Sequence, residues 1–172
     1  YLPNLAASSL KRNRSFTIGV LVPDITDPIF PPIIRAIQDV AEEAGYTVII
    51  ANTDDNLDKE ARALRMMRSR AMEGIVILNA RLNDPTVDGC IKDGIPCILV
   101  NRTIMNTSVN ALIVDENFGV CAALDHLVGL GHSHIAYIAG PQDTSTGVER
   151  AQAFLNYMKL LDLDASLCEY TD

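Results

Sequence analysis

Apolar residues along this chain fall into two rhythms, short continuous runs and longer stretches spaced three and four apart. Phe16–Val22 (FTIGVLV) is the first run, a buried type of strand ending at Pro23-Asp24. Ile33, Ile34, Ile37, Val40, Ala41 and Ala44 then repeat at helical spacing. Pro31 and Pro32 are tolerated only in a first turn, so this helix starts near Phe30, and Gly45 stops it. Thr47–Ala51 is the second strand, and Asp54-Asp55-Asn56 offers caps for a helix reaching about Ala71. Gly74–Leu78 is a third strand, Asp84-Pro85 opens a short helix that Gly94 closes, and Pro96–Asn101 is a fourth strand. Ala111–Val114 is a fifth, followed by a helix from the cap Asp115 through Leu130, ended by Gly131. His134–Ala139 is a sixth, and the capping-box pattern Thr146-x-x-Glu149 starts a last helix to about Leu161.

Strands alternating with helices in this way predict an α/β fold, a parallel sheet with helices on both faces. Such sheets bind ligands at the carboxyl ends of their strands. Those ends are Pro23–Phe30, Asn52–Asp55, Asn79-Ala80, Asn101-Arg102, Asp115 and Gly140–Thr146. Leu167–Tyr170 has the composition to begin another strand. A sheet stopped after the sixth strand exposes an unpaired edge, so more protein is expected to follow.

Composition narrows the class. At 172 residues with 48% apolar content, the chain supports one ordinary domain or two small lobes. Runs such as Gly74–Leu78 and Ile95–Val100 are far too short to cross a bilayer, and no membrane association is expected. Tyr1–Leu10 lacks the charged start and long apolar stretch of a secretory signal, which favours the cytoplasm. Cys90, Cys97, Cys121 and Cys168 have no CxxC spacing, and Cys97 and Cys121 read as buried free thiols. The net charge of −8 is the wrong sign for a body that grips nucleic acid broadly. Residues 1–15, however, hold Lys11, Arg12 and Arg14 and no acid, which reads either as a plain charged tail or as an arm that delivers an acidic body to DNA.

Candidate chemistry is sparse. GxSxG, HExxH, GxxxxGK[ST] and GxGxxG are all missing, so no enzyme and no cofactor is expected. His126, His132 and His134 lack a carboxylate or cysteine at ligand spacing, and fit a helix terminus better than a metal site. Asp24 and Asp27, like Asp54-Asp55, suit turns and caps better than acid–base work. Arg150 stands in the opening turn of the last helix, where the helix dipole disfavours a cation. Either a salt bridge to Glu149 or Asp143 or a bound small molecule would compensate. At the other end, Leu5–Leu10 is barely two helical turns, too short to be stable alone in water. It is therefore either a fraying terminus or a segment that folds on binding.

Residues 1–11, Y-L-P-N-L-A-A-S-S-L-K, resemble the Y-x-P-N-x-x-A-R-S-L hinge of the lactose-repressor/galactose-repressor family of bacterial transcription regulators. The following S-F-T-I-G-V-L-V-P-D-I-T-D-P-I-F is similar to that family's T-x-x-I-G-V-L-V-P-D-I-x-N-P-F-F. The likeness continues in order with A-G-Y at 44–46, A-N-T-D-D at 51–55, E-G-I-V-I at 73–77 and V-D-E-N at 114–117. It ends with L-G-H at 130–132, I-A-Y-I-A-G-P at 135–141 and S-T-G-V-E-R-A-Q-A-F at 145–154.

The resemblance implies a periplasmic-binding-protein-like core of two parallel-sheet βα lobes. Residues 1–15 would be the hinge helix and linker to a helix-turn-helix headpiece, residues 16–116 the N-terminal lobe, and residues 117–172 the start of the C-terminal lobe. It implies a small-molecule effector, a sugar or a nucleoside- or purine-like metabolite, held between lobes by Ile29, Phe30, Asn101, Thr144, Thr146 and Arg150. It also implies operator DNA as a partner, with Leu10 as a minor-groove wedge beside the basic Lys11. Four departures stand out: Ser8 replaces the usual hinge arginine, Ile29 a frequent aromatic and Asn101 a frequent aspartate, and the double proline Pro31-Pro32 suggests a slightly altered mouth. A homodimer is expected, because two half-site readers need a two-fold partner. The helices near Ile33–Ala44 and Leu57–Ala71 are its candidate surfaces, since Met66, Met67 and Met72 exceed what one buried face requires. A solute-binding receptor of the periplasmic type is the alternative function, disfavoured by the basic wedge segment. A Rossmann enzyme is disfavoured by the missing glycine fingerprint.

Overall fold

The computed structural model describes residues 14–105, 108–166 and 168–170. They divide into two compact units. The first comprises residues up to Asn79 together with Asp84–Val100 and Ser108–Asn110.

In this unit strand β1 (Thr17–Val22), helix α1 (Phe30–Glu43), strand β2 (Thr47–Asn52), helix α2 (Leu57–Ser69), strand β3 (Gly74–Ile77), helix α3 (Pro85–Lys92) and strand β4 (Cys97–Val100) follow one another. The sheet runs in the order β2-β1-β3-β4. Every pair is parallel, with Thr17 beside Thr47, Ile18 beside Gly74 and Ile75 beside Cys97. A central parallel strand is covered on both faces, and this is why β1 reads as an unbroken apolar run. Val20 and Val22 join Phe30, Ile34, Leu78 and Val100 in one buried cluster. On the opposite face Gly19 leaves room for α2, since a Cβ there would stand 2.4 Å from Met67 Sδ.

Local chemistry sets the element ends. Pro31 and Pro32 occupy the opening turn of α1, where no N–H is needed. Gly45 closes α1 with φ +79°, and Tyr46 N–H donates to Ala41 O. Asn56 caps α2 by accepting from Lys59 N at 3.0 Å, and Asp84 caps α3 by accepting from Val87 N. Asp24 and Asp27 are turn formers, accepting from Thr26 N and Ile29 N respectively.

Two sequence-based expectations change here. Met67 and Met72 belong to the unit's own core and only Met66 is half-buried, so the methionines give no surplus apolar face for a dimer. Cys97 and Cys121 are half-buried, and the buried thiol is Cys90.

The second unit comprises residues 80–83, 101–105 and the described residues from Ala111 onward. It holds strand β5 (Ala111–Leu112), helix α4 (Glu116–Gly129), strand β6 (Tyr137–Ala139), helix α5 (Ser145–Leu160) and strand β7 (Cys168–Tyr170). β6 and β7 pair in parallel, Tyr137 beside Cys168. Leu124, Ile135, Phe154 and Met158 form the core, with the Tyr137 and Phe154 rings stacked at 4.8 Å. The strand expected from His134 begins only at Tyr137. The strand expected over Ala111–Val114 ends at Leu112.

Candidate functional site

The loop between β6 and α5 is built around one hydroxyl. Thr144 Oγ1 donates to Pro141 O at 2.9 Å and accepts from Gly147 N at 3.1 Å, so it closes the loop and caps α5 together. The cap is thus Thr144 rather than the Thr146 of the capping-box pattern. Gly147 is required by packing, since a Cβ there would lie 2.0 Å from Pro141 O. Thr146 is buried, its Oγ1 3.4 Å from that of Thr144.

Hydrogen bonds donated by backbone N–H groups bind two further segments of the unit to this loop. Leu82 N donates to Asp143 O at 2.8 Å, Met105 N to Leu82 O at 2.9 Å, and Thr103 N to Ser145 Oγ at 2.9 Å. Arg81 pairs with Asp143. Asn101 takes a left-handed φ of +70°, a conformation asparagine tolerates better than most residues, and its N–H donates to Leu112 O.

Arg150 lies in the second turn of α5, and its compensation is a salt bridge to neither of the acids expected. Its Nε and Nη2 donate to Glu116 Oε2 and Oε1 at 2.5 and 3.0 Å, a bidentate pair. The Glu116 side chain is 9% exposed and that of Arg150 46%. The hydrogen bonds that Arg150 donates to Glu116 raise the guanidinium pKa above its ordinary value, partly opposed by burial. Glu116 opens α4, where the helix dipole favours its carboxylate, and Asp115 caps that helix by accepting from Phe118 N at 2.8 Å. A groove of about 550 Å³ adjoins the pair, with Asp115, Glu116, Asn117, Glu149, Gln152 and Asn156 in its wall.

Thr144, Thr146, Arg150 and Asn101 therefore all belong to the second unit, and the loop brings Thr144 and Thr146 together, with Arg150 four residues further along α5. Ile29 and Phe30 belong to the first. Ile29 is 43% exposed at the start of α1, whereas Phe30 is 4% exposed and packs in the core cluster. Leu10 and Lys11 lie outside the described residues. Glu116 was missed as a site residue, because no local pattern links it to an arginine 34 positions away. The only local hint is an acid directly after the cap Asp115. Among the described residues no group of three His, Cys, Asp or Glu side chains is arranged to hold a metal ion. No helix among them is long and apolar enough to cross a membrane.

Comparison with known proteins shows the family. The ribose operon repressor of Halalkalibacterium halodurans is 31% identical over 154 residues, covering 90% of this chain and 45% of the repressor. The transcriptional regulator PtxS of Pseudomonas aeruginosa is 32% identical over 155 residues, again 90% and 45%. Both names describe regulators of transcription rather than enzymes. The chain spans about half the length of the curated relatives it matches. A solved periplasmic binding protein/LacI transcriptional regulator of Alkaliphilus metalliredigens, complexed with D-xylulofuranose, superposes with a TM-score of 0.79 at 28% identity, covering 91% of this chain and 56% of that one. The transcription regulator CcpA of Lactococcus lactis gives 0.82 at 25%, covering 91% and 58%. The family described as periplasmic binding proteins and sugar binding domain of LacI family matches residues 15–165, and the chain belongs to it.

Proposed function

We propose that this chain is the effector-sensing core of a DNA-binding transcription regulator, a repressor, whose operator affinity is switched by a small molecule. The observation that supports the effector site is Arg150, held by Glu116 on the helix that Thr144 caps after the carboxyl end of β6. Effector contacts come from Asn101, Thr144, Thr146 and Arg150, and from Ile29 and Phe30 as the resemblance implies. A sugar is favoured over a purine-like metabolite by the likeness to a ribose operon repressor and to a protein solved with D-xylulofuranose. Residues 1–15 serve as hinge and linker, with Leu10 and Lys11 meeting the minor groove. Residues 16–116 and 117–172 belong to the two lobes. The regulator works in the cytoplasm as a homodimer, reading a two-fold operator.

Selection of duplexes from a random DNA pool by the full-length protein tests this reading. A two-fold symmetric sequence should be enriched, and a small molecule that raises the melting temperature should change its retention. Failure to enrich any symmetric sequence would refute the regulator and favour a solute-binding receptor.

A further inference from the structure

An arginine at the mouth of a ligand site is ordinarily a hook for phosphate or carboxylate, because its fork of donors matches both. In this protein that hook is already occupied. Glu116 takes two of the five N–H donors of Arg150 and, with both oxygens engaged, cancels its charge. The Glu116 side chain is almost wholly buried while that of Arg150 is about half exposed, so a ligand meets the arginine side of a neutral pair. Arg81, also tied to this loop, is likewise paired, with Asp143. The adjoining groove, which Glu116 lines and Arg150 does not, carries Asp115, Glu116 and Glu149 in its wall. An anion held by Arg150 would stand beside the Glu116 carboxylate with the guanidinium charge already balanced, which costs affinity where water is excluded.

Hydroxyl groups have no such conflict, because each both donates and accepts. The remaining N–H groups of Arg150 donate, and the Thr146 hydroxyl adds a group that can donate or accept, whereas the Thr144 proton is spent on Pro141 O. We infer that the effector of this site is an electrically neutral polyhydroxylated molecule, a free sugar or sugar alcohol, and that phosphorylated or carboxylated sugars are rejected by the acid that holds Arg150. The inference rests on the proposal that Arg150 contacts effector. Glu116 is then a specificity-determining residue that acts through Arg150.

Calorimetry and thermal shift on the full-length protein test this with matched pairs: ribose and ribose 5-phosphate, fructose and fructose 1-phosphate, glucose and gluconate, with xylulose and the corresponding alditols as further neutral probes. A neutral member should bind, and its anionic counterpart should bind about tenfold more weakly or worse. Glu116→Gln removes the charge but keeps the shape, and should narrow or invert that preference. Glu116→Asp keeps the charge and should retain it. An anionic sugar that binds the wild-type protein better than its neutral parent overturns the inference while leaving the effector site standing. A preference unchanged in Glu116→Gln, shown folded by its unliganded melting curve, overturns it as well. If that variant does not fold, the wild-type pairs decide alone. No binding by any member overturns the effector reading of Arg150, and the inference falls with it.

Discussion

Arg14 donates to Glu73 Oε2 from both Nε, at 3.1 Å, and Nη2, at 2.8 Å, which joins the segment leading into β1 to the residue just before β3. The other oxygen of Glu73 accepts from Phe16 N at 2.9 Å, and Tyr46 Oη donates to Oε2 at 3.0 Å. The Arg14 guanidinium also lies 4.6 Å above the Phe16 ring. Phe16 has a left-handed φ of +49°, unfavourable for an aromatic residue, and the bond from its N–H to Glu73 holds that conformation. The chain therefore enters β1 through a fixed corner.

That corner sets a pH dependence. The bonds from Arg14 hold the Glu73 carboxyl well below its ordinary value near 4.5, at about 2, with the Phe16 N–H as the next cause. A carboxyl whose pKa is depressed by folding contributes stability above its unfolded value, and loses it as pH falls through the folded one. The melting temperatures of the wild-type protein and of Glu73→Gln should therefore differ near neutral pH and converge as pH falls from about 4.5 toward about 2. Parallel curves across that window would show that Glu73 does not stabilise the corner through its charge.

Gly147→Ala should disrupt the loop that carries the candidate site. Its Cβ would stand 2.0 Å from Pro141 O, a backbone atom that cannot rotate away. Relief requires the β6–α5 loop to shift, at a cost of about 1–3 kcal/mol, and the shift moves Thr144 off its two partners. Denaturant titration should show the lost stability, and effector affinity should fall with it. Wild-type stability in this variant would mean that the loop is looser than its bonds imply.

Phe154→Ala and Phe118→Ala separate core from surface in the second unit. Phe154 is 1% exposed and stacked on Tyr137, so its truncation should cost about 3–5 kcal/mol. Phe118 is 71% exposed, and its truncation should fall within about 0.5 kcal/mol of neutral. Equal destabilisation by the two changes, measured as denaturant midpoints, would contradict this burial.

Much of the fold was legible because its signals are local. Asn56, Asp84 and Asp115 cap the helices their positions predict, and Gly45 ends α1 where the periodicity stops. The methionines of α2 misled because the space that takes Met67 is created by a missing side chain at Gly19, on a different element. Thr144 was passed over because its partner at the third helical position is a glycine, which cannot complete a capping box, whereas Thr146 and Glu149 have the box's spacing by coincidence. Arg150 was reachable through the resemblance and through its awkward place near a helix N-terminus. Its partner was not, since Glu116 reaches it only when α4 and α5 pack side by side.

The Arg150–Glu116 pair gives the last prediction, which separates structure from function at one residue. Removing Arg150 strands a carboxylate that is 9% exposed and has lost both of its charged donors. Breaking a fully buried pair costs about 3–5 kcal/mol. Because Arg150 is itself 46% exposed, solvent screening reduces the expected loss to about 1–2 kcal/mol. Arg150→Ala should thus lower stability by that amount, and Arg150→Ala combined with Glu116→Ala should be less destabilised than the sum of the single changes, the mark of a direct interaction. Effector binding should behave differently. Restoring stability by the second substitution does not restore the lost N–H donors, so the double variant should remain about ten- to a hundredfold weaker for effector than the wild-type protein. Recovery of effector affinity together with stability in the double variant would make Arg150 a structural residue alone, and the site would have to be sought elsewhere in the second unit.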